Sequence, residues 1–465
     1  MCTALAFLAA FAQQTKTIER HVPTKPGQAI DIRRFSGSEV DVKSWDKNEV
    51  YVNIKIEFES SDRDFEQEYI KMVDIDQEQT DAALVLTLKQ PTHHREFSWT
   101  DIFRLHFSQY TSNQISGEIY VPRENPLTLE ANYSTVTLEN MRGALTVSGR
   151  SSTIHFRGCN NLHDVDNDYG TSTIEQCGGD LHLTSRSSKM TVDTFDGPVT
   201  IDADYATIKL YGIKKSATVN SKSATITADQ MGGNVDVQSD YSTVTVTNVK
   251  GFVQIQDKSG KMRINSVEGL KVDGLYATVE VNGVHGKSGK PITVKGQSGR
   301  LDLEQATGDV VIDNPYSPIV LRSIRGNIDI RSRSSNITIE DVVGNLTARA
   351  EYSSFDVANL DADQIMISNK SNPVELELKK SPSKLEIQNE YGDVKVRVPK
   401  DYSGSLNLKV SYGKIKTDLP LEIEDLGSGA FFVGKLGEKK NSIAISTKSG
   451  NIYLETESGR TQEPD

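Results

Sequence analysis

From about residue 126 the chain alternates apolar and polar residues over runs of four to six, and the runs recur at a step of about eighteen. Counted from Tyr205, apolar side chains return at −6 and −4 on one run, at +3 and +5 on a second, and at +8 in the connection that follows. The +8 column reads Met141, Cys159, Cys177, Phe195, Ile213, Met231, Val249, Val267, Val284, Ala306, Ile324, Val342 and Leu360. A period of two within each run is that of a strand with one face buried, which excludes helical solenoids. A fixed repeat of this length marks stacked coils, each burying its apolar face against the next. The pattern therefore predicts an all-β fold, a single-stranded parallel β-helix or β-solenoid with coils of about eighteen residues.

Two corners follow from other columns. Positions −2 and +1 are small or polar, as at Ala203 and Ala206, Ser239 and Ser242, or Ser332 and Ser335, and leave room for a tight turn. Position +10 is often Gly, as at Gly143, Gly179, Gly197, Gly326 and Gly344, and marks the second corner. At position 0 Tyr alternates with Ser: Tyr169, Ser187, Tyr205, Ser223, Tyr241, Ser259, Tyr276, Ser298, Tyr316, Ser334, Tyr352, Ser371, Tyr391. At −1 the charge alternates, from Asp168, Arg186, Asp204, Lys222, Asp240 and Lys258 to Arg333, Glu351, Lys370 and Glu390. Equivalent residues of successive coils lie about 4.8 Å apart, so an eighteen-residue coil sets each carboxylate between two cations. A 36-residue coil would stack like charges, although it would also stack the Tyr rings. The charges favour the shorter coil, with about seventeen turns in the chain.

Residues 13–125 do not follow the repeat. Ala29–Ile32, Val40–Val42 and Val50–Ile56 alternate as strands, while Asp62 to Val73 carries Phe65, Tyr69, Ile70 and Val73 at helical spacing, with Ser60 or Ser61 as its cap. This segment reads as a β-rich cap with one helix, since the open end of a solenoid needs cover. The repeat runs over 126–416, breaks between Leu419 and Ser442, and returns at Ile443–Leu454; residues 417–465 read as an insertion and a final capping coil.

Composition narrows the class of partner. Only 36 % of residues are apolar, as expected when alternate strand residues face water, and the net charge of −12 argues against nucleic acid as the main partner. Residues 1–12, MCTALAFLAAFA, read as a signal peptide cleaved before Gln13, possessing no basic n-region; the mature chain is expected in the periplasm or on the cell surface, with no membrane span.

The segment Ser38-Glu-Val-Asp-Val-Lys-Ser-Trp45-Asp-Lys-Asn-Glu-Val-Tyr-Val52, the Gly117-Glu-Ile-Tyr-Val-Pro122 stretch and strands ending in Lys-Ser-Gly resemble a known family. It is the family of exported bacterial β-helical domains of unknown function that carries the label adhesin. The resemblance implies a β-helix and a cell-envelope setting, and brings no catalytic residues with it.

Candidate chemistry is sparse. Cys159 and Cys177 share the +8 column in adjacent coils, which places their Cα atoms within reach of a disulfide; the same column suits two small buried apolar residues. Asp164-Val-Asp166-Asn-Asp168 resembles a calcium loop, but Tyr169 stands where the loop needs Gly, and the register puts the three Asp on the outside of one strand. His163 takes an inward −6 place beside Ser172 in that coil, and His93-His94 lacks a partner at ligand spacing. No nucleophile elbow, phosphate loop, zinc motif or cluster of paired carboxylates appears. The expectation is a non-enzymatic protein without cofactor, an adhesin or scaffold whose partner is an envelope protein or polysaccharide. Its binding residues would be the corner tyrosines Tyr169, Tyr205, Tyr241, Tyr316 and Tyr352. The competing readings are a carbohydrate-active β-helix enzyme and an envelope-stress signalling component.

Overall fold

The computed structural model describes residues 14–60, 63–90, 111–286 and 289–456. The signal segment, His93-His94 and Ser61 lie outside them. The fold is a β-solenoid of about fifteen turns with a spacing of about eighteen residues and one short helix, Arg63–Met72. The chain forms two compact units, up to Lys214 and from Lys215 onward, built by one rule. In the first, Thr153 pairs with Thr171 and Thr171 with Lys189; in the second, Ala217 pairs with Val235 and Val235 with Val253, all in parallel. The step is eighteen, and the 36-residue coil is excluded. The turns number fewer than the expected seventeen, and some coils are longer than eighteen residues: Val279 pairs with Leu301 and Ile365 with Leu385.

The core is a set of single-file columns. All thirteen residues of the +8 column are buried, as are Val199, Ile201, Ile208 and Leu210 at −6, −4, +3 and +5. Just before +8 the backbone turns through a left-handed residue at +7: Asn140, Gln176 and Thr194 in the first unit, and Gln230, Asn248, Ser266, Gln305, Ser323, Asp341 and Asn359 in the second. Asn and Asp tolerate that conformation best, and the Gln, Ser and Thr of the column adopt it at some cost. The Gly at +10 serves a different purpose. A Cβ on Gly326 would collide with the carbonyl oxygen of Gly308 in the preceding coil, so the column keeps two backbones close.

The Tyr/Ser corner is sealed from inside by hydroxyls. The Ser152 hydroxyl accepts from the Ser134 amide at 3.2 Å, Ser242 from Ala224 at 3.0 Å, and Ser353 from Ser335 at 3.1 Å. Each Ser at +1 thereby satisfies a buried amide of the neighbouring coil, which explains why that column is polar as well as small.

Chain order and spatial order part at both ends. We label the first strands β1 (Gln14–Pro23), β2 (Ala29–Arg33), β3 (Ser38–Trp45), β4 (Glu49–Ser60), β5 (Asp74–Gln79), β6 (Ala83–Lys89), β7 (Thr111–Pro122), β8 (Leu127–Asn132) and β9 (Thr135–Glu139). β2 and β3 pair in parallel with β8 and β9, so residues 29–45 are a coil of the solenoid. β6 and β7 pair in parallel with the other edges of β2 and β3 and form the outermost coil. Antiparallel strands cover that coil, β5 on β6 and β4 on β7, with β1 beyond β4.

The far end repeats this plan. Asn441–Ser449 pairs in parallel with both Lys384–Tyr391 and Gly404–Tyr412, and Ile452–Thr456 with both Val394–Val398 and Ile415–Thr417. The last coil in sequence is therefore the penultimate coil in space, where a terminal cap was expected. The outer coil is covered by the antiparallel strand Ala430–Leu436. In both places parallel coils end against antiparallel strands, which occupies an edge that would otherwise pair with another chain.

Candidate functional site

Every described corner tyrosine of the repeat stands in solvent. Tyr133, Tyr169 and Tyr205 in the first unit, and Tyr241, Tyr276, Tyr316, Tyr352, Tyr391 and Tyr412 in the second, are 43–65 % exposed. Burial of the flanking columns produces this: with −2 and +1 turned inward, position 0 has nowhere to point but out. In the first unit the backbone adds a cost. Tyr133, Tyr169 and Tyr205 have φ of 55°, 61° and 55°, the left-handed region that bulky residues avoid.

The alternating charges meet as the eighteen-residue register requires. Arg150 pairs in register with Asp168, and Arg186 with Asp204. Lys258 Nζ lies 2.9 Å from Asp240, and Arg333 Nε 3.3 Å from Glu351. The same cations lean over the rings: Arg150 on Tyr169 (5.8 Å), Arg333 on Tyr316 (5.9 Å), Lys370 on Tyr352 (5.5 Å) and Lys448 on Tyr391 (5.6 Å). Arg333 also donates to the Tyr316 hydroxyl at 2.9 Å, and that bond raises the guanidinium pKa further. Each such ring thus carries a cation from a neighbouring coil, a pairing the sequence reading missed although the −1 column contained it. At the far end Ser449 lies in register between Tyr391 and Tyr412, so the Tyr/Ser alternation holds in space where it fails along the chain.

The remaining candidates fall apart as sites. Cys159 and Cys177 are free thiols in this structure, both buried, with the Cys159 amide donating to Cys177 Sγ at 3.3 Å. The neighbouring thiol and burial push Cys177 well above the usual thiol range. In the chain from residue 13 both thiols should stay silent to a thiol reagent while folded and both should titrate on unfolding without reductant; no titrated thiol in the unfolded, non-reduced chain would show a bridge. Asp164, Asp166 and Asp168 point outward along one strand, as the register implied. His163 does not take the inward place assigned to it. Leu162 is buried there instead, and a register shift between Leu162 and Asp164 makes His163 an extra, half-exposed residue. The polar heart of that coil is Asn167, whose side-chain amide donates to the carbonyl of Ser152 and the hydroxyl of Ser172. Among the described residues no group of three or more His, Cys, Asp and Glu is placed to hold a metal ion, and no helix is long and apolar enough to cross a membrane.

No curated protein matches the chain. A solved structure, described as a putative cell adhesion protein from Clostridium sporogenes ATCC 15579, aligns over 96 % of this chain and 100 % of its own at 10 % identity and a TM-score of 0.14. The sequence profile of the family called Toastrack DUF4097 matches residues 27–455. Stacked coils with this register, spanning almost the whole described chain, are what that profile covers: the protein belongs to the toastrack DUF4097 family.

Proposed function

We propose that this is a non-enzymatic, exported protein of the bacterial cell envelope that acts as an adhesin-like interaction surface, with the tyrosine corners as its contact residues. The observation that carries the reading is the exposed tyrosine in a left-handed backbone at Tyr133, Tyr169 and Tyr205. A Tyr there costs on the order of 1 kcal/mol in backbone strain and gains no burial. The adjacent coils hold Ser in the same place, so the fold does not require the ring. A row of aromatic faces, one every second coil and about 9.6 Å apart, offers repeated stacking, and the flanking cations add attraction for acidic groups. The partner that suits it is an extended envelope polymer, a polysaccharide or a protein edge.

The test is retention of the chain from residue 13 by separated peptidoglycan, surface-polysaccharide and envelope-protein fractions. One variant carries Tyr169→Ser and Tyr205→Ser, another Tyr241→Ser, Tyr316→Ser and Tyr352→Ser. Both should fold, each site shifting stability by about 0.5 kcal/mol or less, and both should lose retention on the fraction that holds the parent. Equal retention of parent and folded variants would refute the tyrosine corner as the contact surface.

A further inference from the structure

A second aromatic surface lies on the outer face of the N-terminal strands, away from the tyrosine corner. His21 on β1, Tyr51 on β4 and Tyr120 on β7 are directly opposite one another in register, so their side chains form one row across three strands. Trp45, at the end of β3, continues it: its ring centroid lies 5.1 Å from Tyr120 and 6.1 Å from Tyr51, while Tyr51 is 6.1 Å from Tyr120 and His21 4.5 Å from Tyr51. The interplanar angles of 29–40° describe tiles of one floor rather than the walls of a cage. None of these rings builds the core. The opposite face of the same strands, with Val22, Val50, Val52, Ile119 and Val121, is the buried one.

The polar groups beside the floor are fixed and mostly acidic. One pleat along, Glu19, Asn53 and Glu118 form the next row in register. Tyr51 donates to Glu19 at 3.1 Å and Tyr120 to Glu118 at 3.0 Å, which holds both phenols by their hydroxyls and leaves the ring faces presented. Lys43 donates to Glu118 at 2.6 Å, and with Tyr120 it holds that carboxyl below the usual range, so Glu118 is an anion at neutral pH. The indole N–H of Trp45 is spent on the Glu49 carbonyl at 2.8 Å, and the Lys47 ammonium rests over the indole ring at 4.4 Å. That ammonium is exposed, where such a contact is weak, so a better-fitting group displaces it.

We infer that this floor binds an uncharged, extended oligosaccharide, whose pyranose C–H faces stack on Trp45, Tyr120 and Tyr51 while its hydroxyls donate to Glu19 and Glu118. The length supports it: four strands at about 4.8 Å give a floor of about 14 Å, enough for more than one sugar ring. So does the chemistry, since aromatic faces with planar acceptors at their edge match the apolar faces and equatorial hydroxyls of a pyranose. Charge complementarity sets the class. Glu19, Glu49 and Glu118 outnumber Lys43 and Lys47, so a uronate or phosphorylated chain is repelled where a neutral one is accepted. This preference is opposite to that of the cation-flanked tyrosine corner, and the two sites stand or fall separately.

The experiment is calorimetric titration of the chain from residue 13 with cellopentaose, N-acetylchitopentaose and polygalacturonate. At least one of the two neutral pentasaccharides should bind and polygalacturonate should not bind better. Trp45→Ala and Tyr120→Ala should each weaken that binding by about tenfold or more with circular dichroism and thermal midpoint close to the parent's. Glu19→Gln and Glu118→Gln keep every ring and the sheet, and should weaken binding without touching the fold; they decide the matter if a ring variant misfolds. The corner variant Tyr241→Ser, Tyr316→Ser, Tyr352→Ser should bind the pentasaccharide as the parent does. No binding of either neutral chain at millimolar concentration, parent-like binding by folded Trp45→Ala, or a preference for polygalacturonate would each overturn the inference.

Discussion

Replacing Asp257 with Asn should stabilise the protein at pH 7.5 by about 2 kcal/mol and remove a loss of stability that the parent suffers between pH 4 and 6. Asp257 sits in the inward −2 column, 3 % exposed, and neither carboxylate oxygen makes a hydrogen bond of good geometry. Burial pushes its carboxyl up to about 6; the Ser242 and Ser259 amides and the Ser239 hydroxyl offset this in part, and Asp240, itself paired with Lys258, adds to it. Other coils show what the place prefers. Asn314, Asn369 and Asn389 occupy the same column and donate from Nδ2 to the carbonyls of Gly299, Ser353 and Asn372 at 3.2, 2.8 and 3.0 Å. The equivalent carbonyl for residue 257 is that of Ser242, and it crowds the same side of Gly260 as Asp257 Oδ2. There an acceptor meets an acceptor.

The sign follows from proton counts. The unfolded carboxyl titrates near 3.8 and the folded one near 6, so between those values the folded state holds a proton that the unfolded state has released. The favourable contribution is complete below about pH 4 and gone above about pH 6, and the shift of roughly two units corresponds to about 3 kcal/mol at most. Thermal midpoints from pH 4 to 8 measure it. A parent midpoint flat across that range, or an Asp257→Asn midpoint no higher than the parent's at pH 7.5, would show that the carboxylate is satisfied by groups other than these.

The second large effect concerns the end of the chain. Deleting residues 441–465 should unfold not only the deleted strands but also residues 404–436, which precede them. Gly404–Tyr412 has one parallel partner, Asn441–Ser449, and one antiparallel partner, Ala430–Leu436. Without the intercalated coil only a hairpin remains, and an isolated hairpin is marginal in water. The outer coil has no good place to go. Settling directly on Lys384–Tyr391 would stack Tyr412 on Tyr391, where Ser449 now separates them. Amide exchange at residues 405–412 should accelerate by about 100-fold or more in the truncated chain, while residues 310–370 keep the parent's protection. Parent-like protection of residues 405–412 would mean that the coils stack in chain order.

Most of the middle of the molecule was legible because its contacts repeat at short sequence distance. The +8 column identifies its buried residues one by one, and the alternation of Asp168, Arg186 and Asp204 chooses the eighteen-residue register before any strand is paired. The exposed tyrosines follow from the same count. Their partners did not, because a cation at −1 reaches a ring in a neighbouring coil rather than the one beside it in sequence. His163 went astray for a local reason: one inserted residue at a bulge flips a side chain to the other face, and alternation alone cannot locate it. The aromatic floor was half visible, with Tyr51 and Tyr120 alternating outward on their strands. That they meet Trp45 and His21 depends on pairing between segments distant in sequence, antiparallel for His21 with Tyr51 and Tyr51 with Tyr120, and parallel for the strand of Trp45 beside that of Tyr120.

The coil is written in the periodicity of the chain: its length, its two strands, its buried columns and its outward tyrosines. Each rests on a period that the backbone geometry of a strand imposes locally and that stacking merely copies. The order of coils at the two ends emerges only when the strands pair. There residues 29–45 and 441–456 slip inside later or earlier segments, and every coil presents nearly the same edge to its neighbour, so local pattern leaves the choice of neighbour open. At the far end the column preferences break the tie, Ser449 between two Tyr and Gly450 against the crowding carbonyl of Gly392, and they act only once the coils are stacked.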